Sequence, residues 1–172
     1  MDNIEFYWAI VSHSTVILNY LLEGWLFYKL VKPFMKNKPH YVGIGYSVVM
    51  LLFFCIPQQI TYPNLQGALA AWIIMCLLEK RNIRQKAFLA ISMYLFRWVV
   101  YGVTLVIRNM MFDVFINSPY MLFHPIQQVI MYGIVELIYY GIAITVMYLV
   151  IKLIHKVYVD KKEDIIAFCN FT

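Results

Sequence analysis

Three ionisable residues stand inside long apolar stretches of this sequence: Glu23, Arg97 and Glu136. A charge at the bilayer centre costs on the order of 2.5 to 3.5 kcal/mol on insertion scales, so such a residue usually faces a partner. Depth in the bilayer can be counted from the basic residues at the end of each stretch, at a rise of about 1.5 Å per helical residue. By this count Arg97 lies between the two acids in depth, about 7 to 8 Å from each. We therefore expect Arg97 to form a buried pair with Glu23 or with Glu136.

Three roles fit these buried charges. They could fix the packing and register of helices, sense a ligand or signal, or take part in proton or ion translocation. The packing role is the simplest of the three, because buried ionic groups can specify how helices align. The sequence leaves all three roles open.

Two histidines lie near the predicted outer face of the membrane. His13 stands on the first stretch, and His124 precedes Pro125. Because imidazole titrates near neutrality, the two could sense pH or bind a metal. No third ligand occurs at a suitable spacing, so we predict neither a metal nor a cofactor. His13 joins Glu23, Arg97 and Glu136 as a candidate signal or packing residue.

Catalytic patterns are missing from the sequence. Its three cysteines form no CxxC pair, and Cys55 and Cys76 lie in apolar stretches, where small buried hydrophobic residues are expected. No glycine-rich phosphate loop, HExxH or GxSxG motif occurs. We therefore predict no catalytic residue and no enzyme activity.

The composition is that of a membrane protein. Hydrophobic residues make up 63% of the 172 residues and charged residues only 13%, about half the charge of an average soluble domain. The net charge of +5 comes from basic residues beside apolar stretches, without a basic stripe that could follow a nucleic acid backbone. The predicted partner is the lipid bilayer, and nucleic acid is not expected.

The predicted fold is all-α: a polytopic helical membrane protein with about five transmembrane helices. The predicted spans are 6–30, 41–56, 64–78, 87–107 and 127–154, within one sensor-like domain of residues 1–158. Residues 159–172 are predicted to form a short cytoplasmic tail. Between the spans, Pro57 to Pro63 predicts a tight hairpin and Met110 to Pro125 an outer loop with an interfacial half-turn.

The basic residues predict the orientation of these spans. Twelve of the fourteen Lys and Arg residues fall in three clusters. The clusters are Lys29, Lys32, Lys36 and Lys38; Lys80, Arg81, Arg84 and Lys86; and Lys152, Lys156, Lys161 and Lys162. Because cytoplasmic loops retain basic residues, all three clusters are placed inside. This predicts a multi-pass protein of the cell membrane with its N-terminus outside and its C-terminus in the cytoplasm.

Three stretches carry a resemblance to a known family: EFYWAIVSHSTVILNYLLEGWLFYKLVKPFMKNK, LLEKRNIRQKAFLAISMYLFRW and KLIHKVYVDKKEDI. From Glu5 to Ile165 the chain resembles the membrane input region of GHKL-type, quorum-sensing-like bacterial sensor histidine kinases. The resemblance implies a helical sensor of a two-component signal transduction system that responds to a peptide or small amphipathic ligand. The asparagine and glycine boxes of those kinases do not occur in this sequence, so kinase activity is not predicted and His155 is not assigned as phosphoacceptor.

Several kinds of protein would have such a sequence. It could come from a truncated kinase, or from a stand-alone paralogue that assembles with a sensor kinase or with itself. The competing class is a small membrane subunit of a transporter that binds a small substrate, and a membrane scaffold is a third. A sensor predicts a packed bundle with a long final helix, whereas a transporter predicts a sizeable polar cavity that reaches one face.

Overall fold

The computed structural model of the chain describes residues 2–56 and 63–160. This part of the chain is all-α, which confirms the predicted class, and it contains six α-helices. They are α1 (Asp2–Val31), α2 (His40–Phe54), α3 (Pro63–Leu78), α4 (Ile83–Met111), α5 (Pro119–Leu122) and α6 (Pro125–Asp160). All of the predicted hairpin Pro57 to Pro63 except its last residue, and nearly all of the predicted tail, lie outside the described residues.

Each predicted span coincides with a helix, although the ends differ. The largest differences are in α4 and α6, which continue past the apolar runs at both ends. A helix can continue beyond its apolar run and ends only where the backbone leaves helical φ and ψ angles. In the described chain, positive φ angles outside glycine occur at Lys38 (45°) and Asn82 (56°), just before α2 and α4 begin. A left-handed residue of this kind cannot be part of a right-handed helix, so it lies in the connection before the helix begins.

The prediction of an outer loop after residue 110 is wrong for most of that segment. Helix α4 passes into a single π-helical turn, Phe112–Ile116, and α5 follows almost directly. The side-chain amide of Asn117 donates a hydrogen bond to the Asp113 carboxylate at 3.1 Å. Asp113 therefore lies inside the π-helical turn, whereas Asn117 is the residue that follows its last residue, so the helical path ends at this pair and resumes in α5.

The five long helices form a closed ring. Each packs against the next in the order α1, α2, α3, α4, α6, and α6 returns to α1. Helices α1 and α6 run in the same direction, since Trp8 packs on Tyr132 near their starts and Trp25 stacks on Tyr148 near their ends. Helix α4 also touches α1 across the ring. Side chains that point inward from α1, α2 and α4 therefore meet.

Helices α1 and α2 approach closely at two glycines. A Cβ atom on Gly43 would collide with the backbone oxygen of Gly24, and one on Gly24 would collide with the Ser47 hydroxyl. That hydroxyl donates a hydrogen bond to the Tyr20 carbonyl oxygen at 3.0 Å. Small residues at a helix crossing let the two backbones come together, as in membrane helix pairs.

Two helical segments are long and apolar enough to cross a membrane, Ile83–Ile116 and Pro125–Val157. Helices α2 and α3 are apolar but have only 15 and 16 residues, which is about 22 to 24 Å of helix, against about 30 Å of hydrocarbon. Helix α1 has 30 residues, but polar residues interrupt its apolar run. The described residues thus contain two helices of membrane-spanning length and apolar character. That all five long helices cross a bilayer stays a prediction from the sequence.

Candidate functional site

Glu23 of α1 lies at the centre of the ring with no exposed surface. Its Oε1 accepts hydrogen bonds from the Asn19 amide and from Arg97 Nε, each at 2.9 Å. Its Oε2 accepts from the Tyr46 hydroxyl and from the same Arg97 nitrogen, again at 2.9 Å. Of the two partners predicted for Arg97, the structure therefore selects Glu23.

The pair is part of a closed hydrogen-bond network. The Tyr101 hydroxyl donates to the Asn19 side-chain oxygen at 2.6 Å. The Tyr101 ring also lies under the Arg97 guanidinium, 4.6 Å from the centroid to Cζ. We call Asn19, Glu23, Tyr46, Arg97 and Tyr101 the Glu23 network. It connects α1, α2 and α4 through groups that leave neither carboxylate oxygen without a donor.

Such a network is stable only when it is complete. Attraction between opposite charges is strong in a low-dielectric interior, but each charge has lost its hydration and depends on its partner. Every acceptor on Glu23 is satisfied, and a planar guanidinium held by a carboxylate and an aromatic face has little freedom to rotate. The network therefore holds Arg97 in one orientation.

Glu136 of α6 forms a second pair, with Arg108 of α4. Arg108 Nε donates to Glu136 Oε1 at 2.8 Å, and Arg108 Nη2 contacts the same oxygen. Glu136 is buried, while about a quarter of the Arg108 side chain is exposed. Within the described residues, Glu136 Oε2 has no hydrogen-bond partner. The Arg108 guanidinium lies 4.3 Å from the Phe112 ring, so this pair is anchored at the π-helical turn.

A cavity of about 340 Å³ lies between the two ion pairs. Arg97 and Arg108 both line it, together with four tyrosines and apolar side chains from α1, α2 and α4. The tyrosines are Tyr20, Tyr101, Tyr139 and Tyr140. The cavity thus combines donor groups with an apolar wall, which is the composition of a small-molecule site.

His13 is not part of the Glu23 network. Its ring is exposed, with Nδ1 2.6 Å from the Ala9 carbonyl oxygen, and its edge faces Phe54 at 5.3 Å between centroids. His124 stacks on Tyr120 instead, at 4.3 Å. Across residues 2–56 and 63–160, no group of three or more His, Cys, Asp or Glu residues is placed to hold a metal ion.

The expected burial of the cysteines is wrong for Cys55. It is exposed, and Cys76 is partly buried. Cys55 follows the last residue of α2, where its backbone amide hydrogen-bonds to the Leu52 oxygen. A residue at the end of a helix is no longer covered by the neighbouring helices, and periodicity along the apolar run could not reveal this.

Two of the three basic clusters come together at one end of the ring. Lys29 and Lys32 share a cleft of about 490 Å³ with Lys152 and His155. The His155 ring nitrogen Nε2 is 3.3 Å from the Leu30 carbonyl oxygen, at the end of α1. The first and third clusters therefore lie side by side, whereas Lys161 and Lys162 lie outside the described residues.

Sequence reasoning missed four residues of the two pairs and their network: Asn19, Tyr46, Tyr101 and Arg108. Two of them had a usable signal, because Asn19 is four residues before Glu23 and Tyr101 four after Arg97, on the same helix faces. Tyr46 comes from α2, and nothing in its local sequence points to Glu23. Arg108 lies just beyond the predicted span 87–107, and its position next to the span end gave no sign of a buried partner.

Comparisons with protein-family models, with curated proteins and with solved structures give no significant match for this chain. The resemblance to sensor kinases therefore stays a prediction from the sequence.

Proposed function

We propose that this chain is an integral membrane sensor or receptor-like module, similar to the input region of a GHKL sensor histidine kinase. The observation that carries the proposal is the Glu23 network beside the cavity between α1, α4 and α6. A ligand in that cavity would contact Arg97, and Arg97 connects three helices through Glu23 and Tyr46. A change at one side chain would therefore act on the packing of the whole ring.

The outer surface of the ring supports placement in a bilayer. Large apolar side chains are exposed on every long helix, among them Trp98 at 70% and Val103 at 65%. Soluble monomers rarely expose contiguous apolar patches beyond a few hundred Å². The convergence of Lys29, Lys32 and Lys152 at one end fits a cytoplasmic headgroup region. We propose five spans, with the N-terminus outside and α6 ending inside the cell.

Accessibility of single cysteines tests this topology, in a chain whose three native cysteines are replaced by serine. Asn117→Cys should react with an impermeant maleimide in intact cells, because the π-helical turn is placed outside. Lys36→Cys should react only after the cells are permeabilised. The reverse pattern would contradict the orientation, and equal labelling of both would contradict a membrane-spanning chain.

A path for output runs along α6. This helix has 36 residues and carries Glu136, close to the cavity, and His155, which contacts the end of α1. Helices α1 and α6 run side by side, so a shift of one along the other would change their relative position at the end that carries Lys29, Lys32 and Lys152, which we call the basic end. We propose that this end passes the shift to a partner, either a sensor kinase or a second copy of the chain.

The distance between spin labels at Lys32→Cys and Lys156→Cys tests the coupling. Both positions are exposed at the basic end. Tyr101→Phe removes the hydroxyl that bonds to Asn19, and we expect it to move the label distance by about 1 to 2 Å, the scale of signalling helix shifts. Tyr94→Phe is the control, since Tyr94 lies outside the network. An unchanged distance in Tyr101→Phe would contradict a receptor role.

The alternative function is a small membrane subunit of a transporter, which the cavity with its polar side chains also favours. A transport site opens alternately to the two faces, whereas a receptor site faces the signal. Leu105 lines the cavity. In the labelling experiment, Leu105→Cys should react from the outside alone for a receptor. Reaction from both sides would favour the transport subunit.

A further inference from the structure

We propose that the cavity between α1, α4 and α6 binds an amphipathic oxyanion, that is, a carboxylate or phosphate group joined to a short apolar chain. This inference rests on the proposed receptor function and specifies its ligand class. Four observations carry it: the terminal nitrogens of Arg97, which bond to none of the described residues, the character of the other polar groups, the apolar wall and the volume.

The first observation is that Arg97 uses only part of its hydrogen-bonding capacity. Its Nε donates to both oxygens of Glu23, whereas its two terminal nitrogens make no hydrogen bond to any described residue. Arg97 lines the cavity, and the network fixes its guanidinium plane. Inside hydrocarbon, N–H groups need a partner. The cavity is the place where such a partner can lie.

The second observation is that each of the other polar side chains around the cavity can donate a hydrogen bond. Arg108 adds a second guanidinium, and within the described chain the hydroxyls of Tyr20 and Tyr140 make no hydrogen bond. None of the described residues that line the cavity is acidic. The acceptor oxygen of Asn19 is already occupied by Tyr101. A ligand that presents acceptors is therefore complementary to the cavity, and guanidinium groups match the geometry of carboxylate and phosphate.

The third and fourth observations limit the rest of the ligand. Val16, Phe54 and Leu105 form an apolar wall beside the donors. The volume of about 340 Å³ lies at the lower end of the range of about 300 to 1,000 Å³ for ligand pockets. The cavity suits a short amphipathic molecule, or the headgroup end of a larger one, and is too small for a folded peptide.

Binding of an oxyanion would act on the network directly. An anion on the terminal nitrogens of Arg97 would compete with Glu23 for the same positive charge. Any weakening of the Arg97 bond to Glu23 would reach α2 through the Tyr46 hydroxyl, which donates to the same carboxylate. Arg97 would therefore both bind the ligand and transmit its effect to the helices.

Binding of labelled octanoate tests the ligand class, with the full chain in phosphatidylcholine nanodiscs. We expect saturable binding that octanoate displaces at least tenfold better than octanol or octylamine, which share its chain length. Tyr140→Phe should weaken binding about tenfold, the effect of losing a hydrogen bond to a charged group. Val16→Phe should fill the cavity and abolish binding without altering either arginine. Tyr94→Phe should bind as the unmodified chain does.

Three results would overturn the proposal. These are equal displacement by octanol, unchanged binding in Val16→Phe, or no saturable binding in a chain whose fold is intact by circular dichroism. Failure of the receptor function is distinguishable, because octanoate would then bind without changing the distance between labels at Lys32→Cys and Lys156→Cys.

The source of the oxyanion follows from a second arm of the experiment. If phosphatidylglycerol in the nanodisc displaces octanoate while phosphatidylcholine does not, a bilayer phospholipid supplies the phosphate. If octanoate binds equally well in both lipids, the ligand is a free amphipathic acid from outside the bilayer. Either result supports an oxyanion site and assigns the source of its ligand.

Discussion

Replacement of Arg97 by leucine should destabilise the protein by about 3 to 5 kcal/mol, the cost of removing one partner of a buried ion pair. Glu23 would remain in the interior with only the Asn19 amide and the Tyr46 hydroxyl as donors. Its charge would lack a counterion in a low-dielectric site, where desolvation is severe. Denaturant unfolding of the purified protein in detergent, with unfolded fractions followed by tryptophan fluorescence, measures the change.

The double replacement of Glu23 and Arg97 by leucine separates the charge effect from loss of packing. Because the double variant leaves no unpaired charge, we expect it to recover most of the loss, as exchanging a buried pair for apolar residues frequently does. Arg81→Leu is the matched control, since Arg81 is exposed. If Arg97→Leu were as stable as Arg81→Leu, the ion pair would have no structural importance.

Replacement of Gly43 by alanine should have the second largest effect, a loss of about 1 to 3 kcal/mol from overpacking. The new Cβ would meet the backbone oxygen of Gly24, which cannot rotate away as a side chain could. Helices α1 and α2 would have to separate, and Tyr46 lies one turn from Gly43 on the same helix. The hydrogen bond from Tyr46 to Glu23 should therefore lengthen as well.

Two other glycines provide a control for the chemistry of the substitution. A Cβ atom on Gly102 or Gly141 would meet no atom within 4 Å. Alanine is favoured over glycine in a helix by up to about 1 kcal/mol, so Gly102→Ala and Gly141→Ala should be neutral or stabilising. The same unfolding measurement applies to all three variants. Equal stability of all three variants would show that the contact between α1 and α2 can accommodate a methyl group at position 43.

The all-α class and the approximate positions of the five long helices could be predicted from the sequence. The length of each apolar stretch, its apolar content and the charge clusters beside it are all visible in a short local segment. The helix ends could not be predicted as well. Asp113 and Asn117 marked a loop by their residue types, yet Asp113 lies inside the π-helical turn and bonds to Asn117, which follows the last residue of that turn. Their spacing of four residues could have indicated the hydrogen bond between them, but their polarity alone indicated a loop.

The sequence by itself indicated that Glu23, Arg97 and Glu136 are ionisable residues inside apolar stretches and how far along its helix each lies. At a fixed rise per residue, Arg97 came out midway between Glu23 and Glu136, so height alone did not choose a partner. The tertiary structure decided this, because the choice depends on which helices are neighbours and which faces point inward. With α4 reaching across the ring to α1, Arg97 binds Glu23, and Arg108 is left to bind Glu136.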